Sequence, residues 1–177
     1  MKQALLIIDV QKGLFAPEPQ PFEAADIINK INGLTARART TGIPVIFIQH
    51  EDATELVHAS DAWQLAPELI VEPGDLTLRK TTPDSFLRTD LSQLLSEHDI
   101  DTVVICGYAT EFCVDTTTRR AAALGYDVQL VEDAHTSHDK PHAPAAWIRN
   151  HHNQTLPDIG SFGSIISTIR SDQLWLS

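Results

Sequence analysis

Basic residues are scarce in this chain. Its 177 residues include 13 lysines and arginines against 24 acids, for a formal charge of −11. A balance of that sign argues against a broad face for nucleic acid or anionic membranes, while a local basic pocket stays open. Cysteine is scarce too. Cys106 and Cys113 are the only two, and they form no Cys-x-x-Cys motif. A chain of this length buries roughly 70% of its unfolded surface, so it needs no disulfide staple. Long apolar runs are missing. The first, Leu5-Leu6-Ile7-Ile8, stops at Asp9, too short for a signal peptide or a membrane span. No Gly-x-Gly-x-x-Gly follows that run and there is no P-loop, which argues against a nucleotide-binding domain. The expectation is one domain over residues 1–177, cytoplasmic, with free thiols.

What is present reads as strands alternating with helices. Leu5 to Ile8 is continuously apolar, as a strand buried on both faces of a parallel sheet must be. After a proline-rich loop, Ala25, Ile28, Ile31, Leu34 and Ala38 recur at helical spacing, and Gly42 stops that helix. Pro44 to Ile48 is a second strand, residues 51–74 a long irregular loop, and Asp75 to Leu78 a short strand. Leu87, Leu91, Leu94 and Leu95 predict a helix, Thr102 to Cys106 a strand, Val114 to Leu124 a helix, and Tyr126 to Val131 a strand. Helices are expected over Ala143 to His151 and Phe162 to Arg170. The pattern predicts an α/β fold of three layers, αβα, with a mainly parallel sheet covered by helices on both faces.

In open sheets of this kind, ligands bind outside the carboxyl ends of the strands. Asp9 follows the first strand, Gln49 and His50 the second, and Arg79 and Lys80 the third. The Gly107 turn and Cys113 follow the Thr102 strand, and Glu132, Asp133 and His135 the Tyr126 strand. A helix opening at Thr110 puts Cys113 in its first turn, where unpaired N–H groups and the helix dipole favour an anion and make a thiol ionise more easily. On position alone, a small buried cysteine is the commoner outcome. Asp9 and Lys80 at the same edge alter that balance. A carboxylate can take the thiol proton and later pass it to a leaving amine, while an ammonium keeps the carboxylate ionised and favours the thiolate. Backbone N–H groups around Gly107 and the helix start can hold a developing oxyanion.

Three segments carry a family resemblance. Leu6-Ile7-Ile8-Asp9-Val10-Gln11-Lys12-Gly13-Leu14-Phe15 resembles the first motif of the isochorismatase-like cysteine hydrolases. Lys80-Thr81-Thr82-Pro83-Asp84-Ser85-Phe86 resembles their lysine motif, and Gly107 to Thr117 their cysteine motif. Gln49-His50, Trp63-Gln64 and Thr82 to Phe86 are most similar to the streptothricin-hydrolase-like branch. The resemblance implies an Rossmann-like αβα fold, a catalytic triad of Asp9, Lys80 and Cys113, and a non-proline cis peptide at Tyr108–Ala109 that points the Ala109 N–H into the site beside that of Cys113. It implies hydrolysis of a small-molecule amide or lactam through a Cys113 thioester, with the oxyanion held by the Ala109 and Cys113 amides. It also suggests a homodimer or homotetramer.

Around that triad, Phe15, Trp63, Phe86, Tyr108 and Phe112 could wall a pocket; for Phe86 and Phe112 a place in the core is the equal alternative. Gln11 and His50 are candidates for polar substrate contacts, and Glu111 for a first-turn acid. The family's nicotinamidase branch has a metal-binding Asp-x-His motif where this chain reads Gln49-His50-Glu51-Asp52, so no metal and no other cofactor is expected. His135, His138 and His142 fit no common zinc spacing and are expected to be solvated or to cap loops. Two other functions compete: an isochorismatase-type ether hydrolase, and a non-catalytic metabolite-binding domain on the same fold. A phospho-receiver domain would need a second acid beside Asp9 and an aspartate where Lys80 stands.

Overall fold

A computed structural model describes residues 2–175. Its centre is a six-stranded sheet in the order β3-β2-β1-β4-β5-β6, with every neighbouring pair parallel. The strands are β1 (Gln3–Ile8), β2 (Val45–His50), β3 (Leu76–Lys80), β4 (Thr102–Tyr108), β5 (Asp127–Thr136) and β6 (Ile166–Ile169). The helices between them are α1 (Lys12–Phe15), α2 (Ala24–Thr40), α3 (Leu91–Glu97), α4 (Asp115–Ala123) and α5 (Ala145–Thr155), and a π-helical turn, Thr110–Val114, runs directly into α4.

β1 shows why the sheet is buried on both sides. Its side chains alternate, Leu6 and Ile8 on one face and Leu5 and Ile7 on the other, and all four are essentially inaccessible. Leu6 and Ile8 pack with Leu91 and Leu95 of α3 and Ala121 and Ala122 of α4. Leu5 and Ile7 pack with Ile27, Ile31, Leu34 and Ala38 of α2. Each such side chain contributes about 1.5–3 kcal/mol by leaving water. α2 stops where Gly42 takes φ 72° and the Ile43 N–H closes on the Ala38 carbonyl at 2.8 Å, the usual glycine ending of a helix.

The chain moves outward from β1 through β2 to β3, then returns to β4 on the other side of β1 and moves outward again. The order therefore reverses between β1 and β4, where open α/β sheets bind ligands. Gly107 of β4 lies against Ile8 of β1 at that point with φ 115°, and a Cβ there would overlap the Ile8 carbonyl.

Four expectations need correction. Phe162 to Arg170 is not a helix: residues Ile166–Ile169 pair with Val128–Val131 as the sixth strand. β5 runs on to Thr136, so Glu132, Asp133 and His135 lie within the strand, not beyond it, and in the same way Gln49 and His50 end β2 and Arg79 and Lys80 end β3. The third helix begins at Leu91, which leaves Leu87 outside it and exposed. α5 covers Ala145–Thr155 where Ala143 to His151 is predicted.

The 51–74 loop has no helix and no multi-residue strand, yet it is tied down. Its residues pair with the segment after β1: Lys12 N–H to Gln64 carbonyl (2.8 Å), Gly13 N–H to Ala62 carbonyl (2.8 Å), and Ala66 N–H to Val10 carbonyl (3.0 Å). No helix among the described residues is long and apolar enough to cross a membrane.

Candidate active site

Three strand ends bring Asp9, Lys80 and Cys113 together. Asp9 leaves β1 at φ 52°, in the left-handed region that aspartate tolerates better than branched residues. Its N–H donates to the Ile48 carbonyl of β2 at 2.9 Å. Lys80 ends β3, on the far side of β2, and is 1% exposed. Its Nζ reaches Asp9 Oδ2 at 2.8 Å. The same Nζ is 3.3 Å from Cys113 Sγ, 3.3 Å from His50 Nδ1 and 3.2 Å from the Thr82 carbonyl. An ammonium has three hydrogens, so these four acceptors share them. A charge this deep is tolerated because an opposite charge and further acceptors surround it.

Cys113 comes from the π turn. The peptide Tyr108–Ala109 before that turn is cis. The Ala109 carbonyl then accepts the N–H groups of Phe112 (3.0 Å) and Val114 (3.1 Å), the residues on either side of Cys113. Behind the turn, Thr117 of α4 fastens the lysine loop: its hydroxyl is 2.8 Å from Ser85 Oγ and donates to the Pro83 carbonyl at 3.3 Å. The segment carrying Lys80 and the helix carrying Cys113 are thus held to each other through Thr117 as well as through the reactive groups.

Burial pushes the Cys113 thiol up, the Asp9 carboxylate adds to the rise, and Lys80 opposes both. The resting sulfur therefore keeps its proton. The helix-start position predicts the opposite, but burial and a neighbouring carboxylate outweigh the dipole. Asp9 Oδ1 is buried with no hydrogen-bond partner among the described residues, and the Asp9 carboxylate acts on the Cys113 thiol. The edge thus has a protonated thiol, a buried carboxylate that acts on it, and an ammonium beside the sulfur.

Residues expected around this centre fall into two layers. His50 is half-buried at the end of β2, and burial, then the Lys80 charge, lowers its pKa. With Lys80 donating to Nδ1, the neutral ring carries its hydrogen on Nε2. Trp63 stands edge-on to His58 at 4.8 Å, and its indole Nε1 is buried with no partner among the described residues. Tyr108 is partly buried, and its hydroxyl lies 2.7 Å from His138 Nδ1.

Gln11, Phe15 and Phe86 sit behind these. Gln11 is fully buried, and its amide works like a neighbouring strand: Nε2 donates to the His50 carbonyl, and Oε1 accepts the His50 N–H, both at 2.9 Å. Its Nε2 also donates to the Trp63 carbonyl, joined there by Gln49 Nε2. Gln11 therefore holds His50 and Trp63 in place, where the sequence predicts an open polar contact. Phe15 packs edge-on against Tyr108 at 5.8 Å. Phe86 stacks on Tyr126 at 5.7 Å, in the apolar cluster that includes Cys113. Phe112 is exposed.

The histidines divide. His135 is fully buried, not solvated, because β5 carries it inside the sheet opposite Gly107. His138 bridges Tyr108 and the Pro19 carbonyl, which lies 2.9 Å from its Nε2. Thr117, Thr110 and Asn153 were not candidates from the sequence. A hydroxyl at helical spacing after Cys113 was the available signal for Thr117; Asn153 had none, since its partners are distant in the chain.

A family model described as an isochorismatase domain matches residues 3–156. A streptothricin hydrolase of Streptomyces noursei is 40% identical over 146 residues, covering 80% of this chain and 52% of that protein. The chain thus spans about half the length of that curated relative, and a second streptothricin hydrolase is covered to 57%. The uncharacterized isochorismatase family protein YrdC of Bacillus subtilis is 36% identical over 185 residues, covering 98% of this chain and 94% of that one. A crystal structure described as an isochorismatase family protein superposes with a TM-score of 0.86 at 39% identity, covering 94% of this chain and 97% of the other.

Proposed function

Because the chain belongs to the isochorismatase-like hydrolase family, we propose that it is a cysteine-dependent hydrolase of a small-molecule amide or lactam. The observation that carries this reading is the single Lys80 ammonium in contact with both Asp9 and Cys113. A relative named as a ureidoacrylate amidohydrolase, 28% identical over 169 residues, supports an amide C–N bond as the one cleaved.

The steps follow from where the proton sits. Asp9 accepts the Cys113 proton as sulfur attacks the carbonyl carbon, and Lys80 at 3.3 Å stabilises the forming thiolate. The carbonyl oxygen becomes an oxyanion, held by the Ala109 and Cys113 amides; one such donor is worth about 10²–10³ in rate. The C–N bond breaks and Asp9 returns the proton to the departing amine. The acyl group is left as a thioester on Cys113. Asp9 then takes a proton from water, the resulting hydroxide attacks the thioester, and the C–S bond breaks with the proton going back to sulfur.

In this reading His50, Trp63 and Tyr108 meet the substrate, with Trp63 Nε1–H and His50 Nε2–H as donors. Gln11, Phe15 and Phe86 shape the pocket from behind. In this reading the working assembly is a homodimer or homotetramer, and a monomer mass in light scattering on the purified protein would overturn that part of it. The central test is a screen of amides and lactams with mass detection of an acyl adduct on Cys113. A turned-over amide that never acylates Cys113, trapped early and at low temperature, would overturn the thioester route.

A further inference from the structure

Behind the cysteine turn, a chain of hydrogen bonds runs from α5 through β5 to Thr110. Asn153 of α5 donates Nδ2 to the Glu132 carbonyl at 2.8 Å. A carbonyl only accepts, so this bond settles which way the Asn153 amide faces. Its Oδ1 then faces His135 Nε2 at 2.8 Å, and accepts. Nε2 therefore carries the single hydrogen of a neutral imidazole, and Nδ1 has a free lone pair. That nitrogen lies 2.8 Å from Thr110 Oγ1, so the Thr110 hydroxyl donates to it. One backbone carbonyl at the far end thus sets the direction of every bond in the chain.

The neutral ring this requires is what its surroundings enforce. His135 is fully buried, and burial is the main cause that pushes its pKa down to about 4. The bond to Asn153 and the charge of Asp133 resist that fall, while Arg149 and His152 add to it. Thr110 is also fully buried and is the first residue of the π turn, directly after Ala109.

Resting on the hydrolase reading above, we propose that His135, oriented by Asn153, is a positioning residue for the nucleophile. It holds Thr110, and through Thr110 keeps the Cys113 thiol and the Ala109 amide aligned with Lys80 and Asp9. It touches no substrate and moves no proton. The contact most exposed to a drift of the turn is Lys80 Nζ to Cys113 Sγ, the one that stabilises a thiolate.

The test separates this role from simple core filling by pairing variants. His135→Asn keeps an acceptor close to the Nδ1 position, whereas His135→Gln reaches toward Asn153 and leaves the Thr110 hydroxyl without its acceptor. Thr110→Ser keeps the hydroxyl, and Thr110→Val removes it at nearly constant volume. The probe is iodoacetamide at neutral pH, with Cys113 labelling followed by mass spectrometry and buried Cys106 as the internal control. His135→Gln and Thr110→Val should label Cys113 about tenfold or more slowly, and His135→Asn and Thr110→Ser within about threefold of the unaltered protein. Equal labelling of all four variants would overturn the proposal, as would rates that follow each variant's Tm in place of the donor–acceptor pair. If the His135 variants do not fold, the Thr110 pair decides alone. Labelling needs no substrate, so a failed amide screen with this pattern intact would sink the hydrolase reading and leave the positioning role. An active enzyme without the pattern would do the reverse.

Discussion

Cys106 and Cys113 lie on either side of one glycine turn, and both are buried thiols. Burial pushes both of them up. The regions differ in what else is present. Cys106, inside β4, has the Leu6 carbonyl 3.6 Å from its sulfur, a group that can neither take its proton firmly nor stabilise an anion. Cys113 has a carboxylate and an ammonium. In the proposed reaction, nucleophilic character at this edge arises from a base and a cation set beside a protonated thiol, and not from a thiol acidified by its place on a helix.

Replacing each cysteine breaks that comparison most sharply. Cys113→Ala should lower turnover of a true amide substrate by at least about 10⁴-fold, with the far-UV circular dichroism spectrum unchanged. Full activity in that variant would remove the nucleophile from the scheme. Asp9→Asn sharpens the comparison, because its two effects have opposite signs. Turnover should fall by about 10²- to 10⁴-fold as the proton acceptor disappears. The Cys113 thiol should nevertheless become more acidic, since Asp9 raises it and Lys80, no longer neutralised, lowers it. Iodoacetamide should then label Cys113 faster at neutral pH than in the unaltered protein; slower labelling would show that Asp9 does not hold the thiol neutral.

The same contrast marks what the sequence made legible. β1 through β5 follow from apolar runs and turn residues, and the rule that ligands gather at carboxyl strand ends placed Asp9, Lys80 and Cys113 at one edge before any coordinates. β6 did not follow. Phe162, Ile165, Ile166 and Ile169 recur at helical spacing, yet Phe162 and Ile165 are exposed, Ile166 is buried in one core cluster and Ile169 packs partly buried against the other. Pairing with Val128–Val131 decided the outcome, and a non-local edge pairing leaves no period in so short a segment. His135 was hidden for a related reason. Its burial depends on β5 extending past Val131, through polar residues that propensity alone would end. Gln11 was expected to meet a substrate, and the two-point match to His50 that takes up its amide was hidden because it spans the fold.

Buried charge logic also sets a pH dependence of stability, next in size. His135 has a folded pKa of about 4 against 6.5 for the free side chain. The unfolded chain therefore binds the extra proton first, and stability present above about pH 6.5 is lost as pH falls toward 4. The His135 contribution to that loss is about 3 kcal/mol between neutral pH and pH 4. Urea midpoints of the unaltered protein and of His135→Asn, measured across that range, should converge toward the acid end. Parallel curves would mean that His135 is not the group taking up the proton.

Cys106→Ala carries the smallest expected effect and tests the comparison from its quiet side. Removing one buried sulfur from a strand interior leaves a small cavity and should cost about 1–2 kcal/mol, visible as a lower urea midpoint. The Leu6 carbonyl loses only a weak thiol contact, since its backbone partner lies in the β1–β4 ladder. Both kcat and KM should stay within about twofold of the unaltered values, because Cys106 Sγ faces β1 and the Asp9–Lys80 pair faces Cys113. A collapse of kcat with KM unchanged would show that the two sides of the Gly107 turn are coupled through the backbone. The difference between the two thiols would then lie in the turn they share and not in the groups that surround each one.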